Sequence, residues 1–294
     1  MSSDPDKGLK RTFGGIEPVF AQEDTSRIYL QSIAYDGTST WGKGADKGFE
    51  LFLEACENME LYDIETDSEV FRQGVFILPP LKDFLSAEAM YETVLLRTRE
   101  LLGTGKFLTF FGGEHSVSIG LIQAYTEKYN HLTVLQIDAH ADLRPEYLGT
   151  PYNHACAVYQ ASKTTNLIQV GIRSMDIVEK EHMNVDKVYF AQDIEGKTEW
   201  MQESIDKMTK DVYVTVDLDA LDPSIMPATG TPEPGGLLWY TLITYLRMVF
   251  SQKNVVGFDI VEFAPIEALH APQFLVAKLY YKMLNYKFQL PSGQ

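Results

Sequence analysis

Short apolar runs, rich in Val, Ile, Leu and Phe, alternate along this chain with longer amphipathic stretches. Runs at 74–78, 107–111, 133–137, 167–171, 187–190, 212–216 and 255–260 predict strands, with a run of mixed character at 28–34 before them. Their near-continuous apolar character is that of strands buried on both faces, as in a parallel sheet. Helical patterns occupy 47–59, 86–102, 117–129, 199–208, 240–250 and 273–284. Strand and helix in alternation predict an α/β fold with a parallel sheet and helices on both sides of it. No Pro/Gly/Ser-rich linker divides the sequence, so residues 1–294 are expected to form one domain. Roughly the first 20 residues are expected to be an arm. In open parallel sheets, ligands bind beyond the carboxyl ends of the strands, so candidate chemistry is sought just after the apolar runs.

Composition narrows the partners. Acidic residues number 41 and basic residues 25, a formal charge of −16. Such a protein repels nucleic-acid phosphate unless it carries a basic patch, and the longest basic cluster is the pair Lys10 and Arg11. A negative surface suits a small cationic ligand. Cys56 and Cys156 are too few for a disulfide framework or a thiolate zinc site, which predicts reduced thiols and a cytoplasmic protein. The N-terminus lacks the apolar run of a secretory signal. No apolar run approaches the roughly 18 residues of a membrane span.

Three clusters follow strand runs. Gly112-Gly113-Glu114-His115-Ser116 comes after 107–111, and its glycines are expected to allow a tight turn. Asp138-Ala139-His140-Ala141-Asp142 comes after 133–137; its ionisable groups stand at alternate positions, which in extended chain share one side. Asp217-Leu218-Asp219 comes after 212–216 with the same alternation. Two imidazoles and four carboxylates gathered at one point need a counter-charge, and divalent metal supplies it. Oxygen-rich ligation with some imidazole favours a hard ion such as manganese. Six ligands exceed one closed tetrahedral zinc site but suit two ions bridged by shared carboxylates. A hydroxide shared by such a pair is a strong nucleophile near neutral pH.

These residues resemble the signatures of the ureohydrolase family, which includes agmatinase, arginase and guanidino-acid hydrolases. The resemblance runs from Gly112 to Pro265, through Thr229-Gly230-Thr231-Pro232 and Phe258-Asp259-Ile260-Val261-Glu262, and is weaker over residues 1–100. It implies a three-layer α/β/α fold, arginase-like, with two Mn2+ per chain. His115, Asp138, Asp142 and Asp217 would hold one ion, and Asp138, His140, Asp217 and Asp219 the other. Asp142 would orient the shared hydroxide. Glu262 matches the carboxylate that pairs with the substrate guanidinium, and His154 the loop histidine of proton transfer or substrate contact. The implied reaction yields urea and an amine, and the implied assembly is a homo-oligomer, trimer or hexamer.

Within that family, arginine brings an α-carboxylate and agmatine none. The loop Leu143-Arg144-Pro145-Glu146-Tyr147, continuing to His154, resembles bacterial and archaeal agmatinases. Ser174, in the stretch ending at Asp176, stands where arginases carry a second acid. Glu146 and Asp176 are candidate substrate contacts, with Glu146 meeting a distal ammonium; Arg144 reads as a solvated charge or a carboxylate contact. The resemblance therefore points to agmatine, converted to putrescine and urea as in polyamine biosynthesis. Arginine, other guanidino compounds and aminopropylagmatine are the alternatives. Two other classes compete: a mononuclear zinc deacetylase of related fold, whose pattern lacks the His115 and Asp142 pair, and a non-catalytic scaffold. Cys156, His131, His182 and His270 read as packing or surface residues, and Ser174 lacks a nucleophile-elbow context.

Overall fold

The computed structural model describes residues 11–290. Eight strands form one sheet: β1 (Ile28–Ser32), β2 (Val75–Ile77), β3 (Phe107–Phe111), β4 (Thr133–Ile137), β5 (Asn166–Ile172), β6 (Val188–Phe190), β7 (Asp211–Asp217) and β8 (Asn254–Val261). The order is β2-β1-β3-β8-β7-β4-β5-β6, and every pairing is parallel. Each strand expected from the apolar runs is present.

The helices are α1 (Gly48–Cys56), α2 (Ala87–Leu102), α3 (Val117–Lys128), α4 (Tyr159–Thr164), α5 (Ala191–Ile194), α6 (Glu199–Asp206), α7 (Trp239–Gln252) and α8 (Ala271–Gln289). The short α4 and α5 were not foreseen, because an element of one or two turns is too brief for a helical period to register. Side chains alternate across the sheet. Leu135, Ile137, Val212, Val214 and Val216 enter a core with residues of α1, α6, α7 and α8. Val134 and Tyr213 enter a second core with α2, α3 and α4. The three layers follow from that alternation. Local signals set the helix ends: the Ser86 hydroxyl accepts the Ala89 N–H at 3.1 Å to cap α2, and Pro272 opens α8, where a missing N–H costs nothing.

Of the expected N-terminal arm, residues 1–10 lie outside the described residues. Phe13 and Ile16 do not project: Phe13 is fully buried, its ring 5.4 Å from that of Tyr280 in α8.

The loop before β2 is fastened to α8 by charge. Lys282 Nζ lies 2.8 Å from Asp63 Oδ2 and 2.7 Å from Glu65 Oε2, and Glu65 also accepts Tyr286 Oη at 2.8 Å. Burial pushes both carboxyls up, but the Lys282 bonds outweigh it and hold them below their usual range. Carboxylates held low stabilise the fold above about pH 4, and that contribution is lost as pH falls and they protonate. Lys282→Ala should cost about 2 kcal/mol near neutrality, between the values for exposed and buried pairs. In urea denaturation the gap from the parent should narrow as pH drops below about 4; a gap constant with pH would count against the ionic clasp.

Candidate active site

Three turns at the carboxyl ends of β3, β4 and β7 carry the predicted clusters. His115 sits in the turn from β3 to α3. The glycines before it serve a different purpose from the one expected. Neither has a positive φ. Gly113 instead lies against the Tyr35 carbonyl, where a Cβ would come within 1.8 Å of the oxygen, and Glu114 N–H donates to that oxygen at 2.9 Å. Crowding by another loop, rather than turn geometry, demands glycine there.

The alternating acids also meet for a reason other than the extended chain that was expected. Asp138 Oδ1 accepts the His140 N–H at 2.6 Å, and Asp217 Oδ1 accepts the Asp219 N–H at 2.9 Å. These are side-chain turns of the kind aspartate makes with its own backbone two residues on. Asp219 lies in a 3-10 turn, Leu218–Ala220, and Asp142 is left-handed with φ 51°. Glu262, just past the end of β8, is left-handed as well, with φ 65°. Two non-glycine residues in this sparsely populated region, both at one site, mark stored strain of the sort that functional sites carry.

All six predicted ligands converge. His115 Nδ1 is 3.0 Å from Asp138 Oδ2, 3.0 Å from Asp142 Oδ2 and 3.3 Å from Asp217 Oδ2. His140 Nδ1 is 3.0 Å from Asp219 Oδ2 and 3.7 Å from Asp138 Oδ1. Asp138 thus faces both histidines, one oxygen to each. Two clusters able to hold a cation result: His115, Asp138 and Asp142, and Asp138, His140 and Asp219.

The His115 ring decides how these groups fit a metal. Its Nε2 lies 2.9 Å from Thr215 Oγ1, whose own proton goes to Asp259 Oδ1 at 2.6 Å. Thr215 is therefore an acceptor from Nε2–H. Nδ1 is buried, ringed by three carboxylate oxygens and aligned with none of them for a hydrogen bond. As a lone pair it would join those oxygens in a metal-ligating set. Donor separations of 3.0 Å also match the edge of an octahedron around an ion with bonds of about 2.1 Å. Burial and the Asp138 charge push Asp142 up to about 7, and burial with the charges of Asp219 and Asp138 pushes Asp217 well above its usual range. Burial would raise Asp219 too, but the His140 charge pulls it to about 2.

A row of polar side chains under the site escaped the sequence reading. Gln169, Gln136, Thr215 and Asp259 lie at one register level on β5, β4, β7 and β8. All are buried. Gln169 Nε2 donates to Gln136 Oε1 at 2.7 Å, and Gln136 Nε2 donates to Asp138 Oδ2 at 2.7 Å. Tyr213 Oη donates to Asp259 Oδ2 at 2.7 Å. The usable signal was a polar residue interrupting each apolar run near its end, one step before it at Gln136, Thr215 and Asp259 and two steps at Gln169. Arg173 was also missed. Its guanidinium donates to the carbonyls of Asp219, at 2.6 Å, and Glu233, at 2.8 Å, and so clamps the Asp219 turn to the following loop.

A cavity of about 280 Å3 opens over the cluster, lined by His140, Asp142, His154, Arg144, Asp176 and Glu179 among others. His154 Nδ1 lies 3.2 Å from Thr38 Oγ1, whose proton is given to buried Glu114. By that network Nδ1 carries the ring proton and Nε2 is left an acceptor. Burial, then the charges of His140 and His115, lower His154 to about 4, so its ring is neutral near pH 7. Glu262 Oε1 accepts the His115 N–H at 2.7 Å, while Oε2 accepts no hydrogen bond among the described residues. Asp176 lines the cavity but caps a 3-10 turn and pairs with Arg144 Nη2 at 3.3 Å. Arg144 is not a solvated charge: it also stacks over Tyr147 at 4.2 Å. Glu146 is exposed and lies outside the cavity lining.

The family model described as "Arginase family" matches residues 26–285. The chain belongs to the arginase family. It is 33% identical over 273 residues to an N(1)-aminopropylagmatine ureohydrolase of Synechocystis, with 88% of each chain covered. It is 31% identical over 258 residues to an agmatinase of Bacillus anthracis, covering 83% of this chain and 85% of that one. Its fold superposes on the agmatine ureohydrolase of Thermoplasma volcanium with a TM-score of 0.85 at 27% identity, covering 96% and 95% of the two chains. Membership makes it a ureohydrolase-family enzyme, and the arginase family is one of binuclear metal enzymes. Among the described residues, no helix is long and apolar enough to cross a membrane.

A cation that binds only the folded enzyme should stabilise it by about 2.7 kcal/mol at roughly a hundred times its Kd. Calorimetry of chelator-treated protein should therefore show a melting temperature that rises when Mn2+ is restored. Asp217→Asn should leave the chelated protein nearly unchanged and abolish the rise. A full rise in that variant would exclude Asp217 as a ligand.

Proposed function

We propose that this arginase-family enzyme is a binuclear manganese hydrolase that releases urea from the guanidino group of an agmatine-type amine. The observation that carries this reading is Glu262. It is a buried carboxylate beside the ligand cluster, anchored through Oε1 and bare at Oε2. A planar guanidinium offers paired N–H donors that suit such a group.

When bound, the two ions supply an activated water and neutralise developing negative charge. The chain's own residues do the rest. Glu262 holds the guanidinium flat and stationary over the cluster. His154, neutral and with Nε2 unprotonated, is placed to take a proton and hand it to the departing nitrogen, while Thr38 and Glu114 fix its ring. The Arg144–Asp176 pair and Tyr147 wall the entrance. The rim holds Asp176 and Glu179 against the single charge of Arg144, with Glu233 3.7 Å from His140 Nε2. That excess of negative charge favours a substrate whose tail is an amine over one whose tail is a carboxylate. The Synechocystis relative bears the name of the aminopropyl-extended substrate, which supports that longer form ahead of agmatine itself.

A urea-release panel tests the reading. The kcat/KM order should be aminopropylagmatine, then agmatine, then guanidinobutyrate and arginine. Comparable rates on the carboxylate-bearing pair, or no urea from any member, would refute it. Glu262→Gln should lower kcat/KM by about a thousandfold with metal content unchanged, the cost of leaving a charged partner unpaired. Glu146→Ala should leave KM unaltered, given its position outside the cavity.

A further inference from the structure

The amino-terminal end of the sheet, opposite the metal centre, carries a second cavity, of about 310 Å3. It lies beneath the first residues of β1, β3 and β8 and is closed by the end of α8. Three cations converge on it: Arg27, Lys106 and Lys287. Among the described residues none of the three forms a salt bridge, in a chain whose formal charge is −16.

Each cation is oriented by neutral groups. Lys106 Nζ donates to the carbonyls of Asp24, at 2.8 Å, and Ser26, at 2.7 Å. Lys287 Nζ donates to the Val255 carbonyl at 2.7 Å and to Asn254 Oδ1 at 3.1 Å. An ammonium has three N–H donors, so each lysine keeps one. Arg27 spends a single bond, Nη1 to Gln73 Oε1 at 2.7 Å, and its plane rests over Phe288 at 5.0 Å. Among the described residues the carboxylate that acts on Lys287 is Asp211, and it is engaged at 2.7 Å by the Asn254 amide. Aromatic surface completes the wall: Phe107 and Phe288 meet edge to face at 5.6 Å, and Tyr129 lies on the far side.

We infer that this cavity binds a small phosphate ester bearing a planar ring. The phosphate sits on the three spare cationic donors and the ring on Phe288 and Tyr129. The volume is that of a small-ligand site of mononucleotide size. Charge-assisted bonds to guanidinium and ammonium are the strong kind, and orientation by carbonyls means that little side-chain freedom is lost on binding. The site is remote from the chemistry, so its occupant is a second ligand and not the substrate.

The test uses the metal-loaded enzyme after removal of free metal by gel filtration, titrated calorimetrically with adenosine monophosphate and, separately, inorganic phosphate. Adenosine monophosphate should bind, and more tightly than inorganic phosphate. Arg27→Gln, at an exposed side chain, should weaken it about tenfold, and Arg27→Gln with Lys106→Gln about a hundredfold, at one charge-assisted bond per step. Urea release without nucleotide should be the same in these variants as in the parent. No binding up to about 10 mM, or equal binding in parent and variants, would overturn the proposal, the latter by placing the nucleotide at the metal centre. Equal affinity for inorganic phosphate would overturn the ring contact.

Discussion

Four aspartates with almost no solvent around them lie within a few ångströms of one another, and the whole architecture is organised to tolerate that crowding. Burying a carboxylate costs several kcal/mol even after relaxation, and neighbours of like sign add to it. Backbone donors offset part of the cost: the His140 N–H serves Asp138, the Asp219 N–H serves Asp217, and the Ala139 N–H serves Asp219 at 3.1 Å. The remainder is left for a cation. His115 cannot supply it: its Nε2 proton is committed to Thr215, it meets the carboxylates through Nδ1 alone, and one imidazole cannot balance four of them. The site is thus incomplete by construction, and the energy of completing it ties metal binding to the stability of the fold.

The strand order makes the crowding possible. β3 and β4 follow one another in the chain, yet β8 and β7 lie between them in the sheet. The carboxyl ends of four adjacent strands, drawn from distant parts of the sequence, therefore deliver His115, Glu262, Asp217 and Asp138 to one place. Parallel sheets bind ligands where strand order breaks in this way. One step below, the row from Gln169 to Asp259 fixes Asp138 and His115 from underneath. A purely apolar row there would pack as well but would leave Asp138 and His115 free to turn.

What was legible in the sequence divides along the same physical line. The strands were legible because burial on both faces leaves an unbroken apolar run, and 134–137 is such a run save for Gln136. The convergence of the candidate metal ligands was legible because aspartate and histidine at fixed spacing have few other uses at strand ends. The route to their convergence was not. The alternation at 138–142 suggested extended chain, whereas Asp142 is left-handed and the acids meet through aspartate turns. Arg144 resembled a solvated charge because its partners, Asp176 and Tyr147, declare themselves only in three dimensions. The polar row was invisible for a related reason: a single Gln in an apolar strand has no meaning until its neighbours across the sheet are known.

The N-terminal third shows how much of an active site can be built by residues that do no chemistry. The Tyr35 carbonyl imposes glycine at 113 and so sets the path into His115. Asp36 closes its own loop by accepting the Gly44 N–H, which holds Thr38 and Ser39 over buried Glu114. Thr38 in turn accepts from the His154 backbone at 3.1 Å and meets its ring nitrogen. Glu114 thereby receives donors from Thr38, Ser39 and Ser116 and passes its orientation, through one hydroxyl, to the ring over the cavity. A histidine so fixed keeps one tautomer, and a fixed tautomer decides whether Nε2 can accept a proton at all. The loop that shows the weaker resemblance in sequence therefore governs the tautomer of the histidine that lines the cavity.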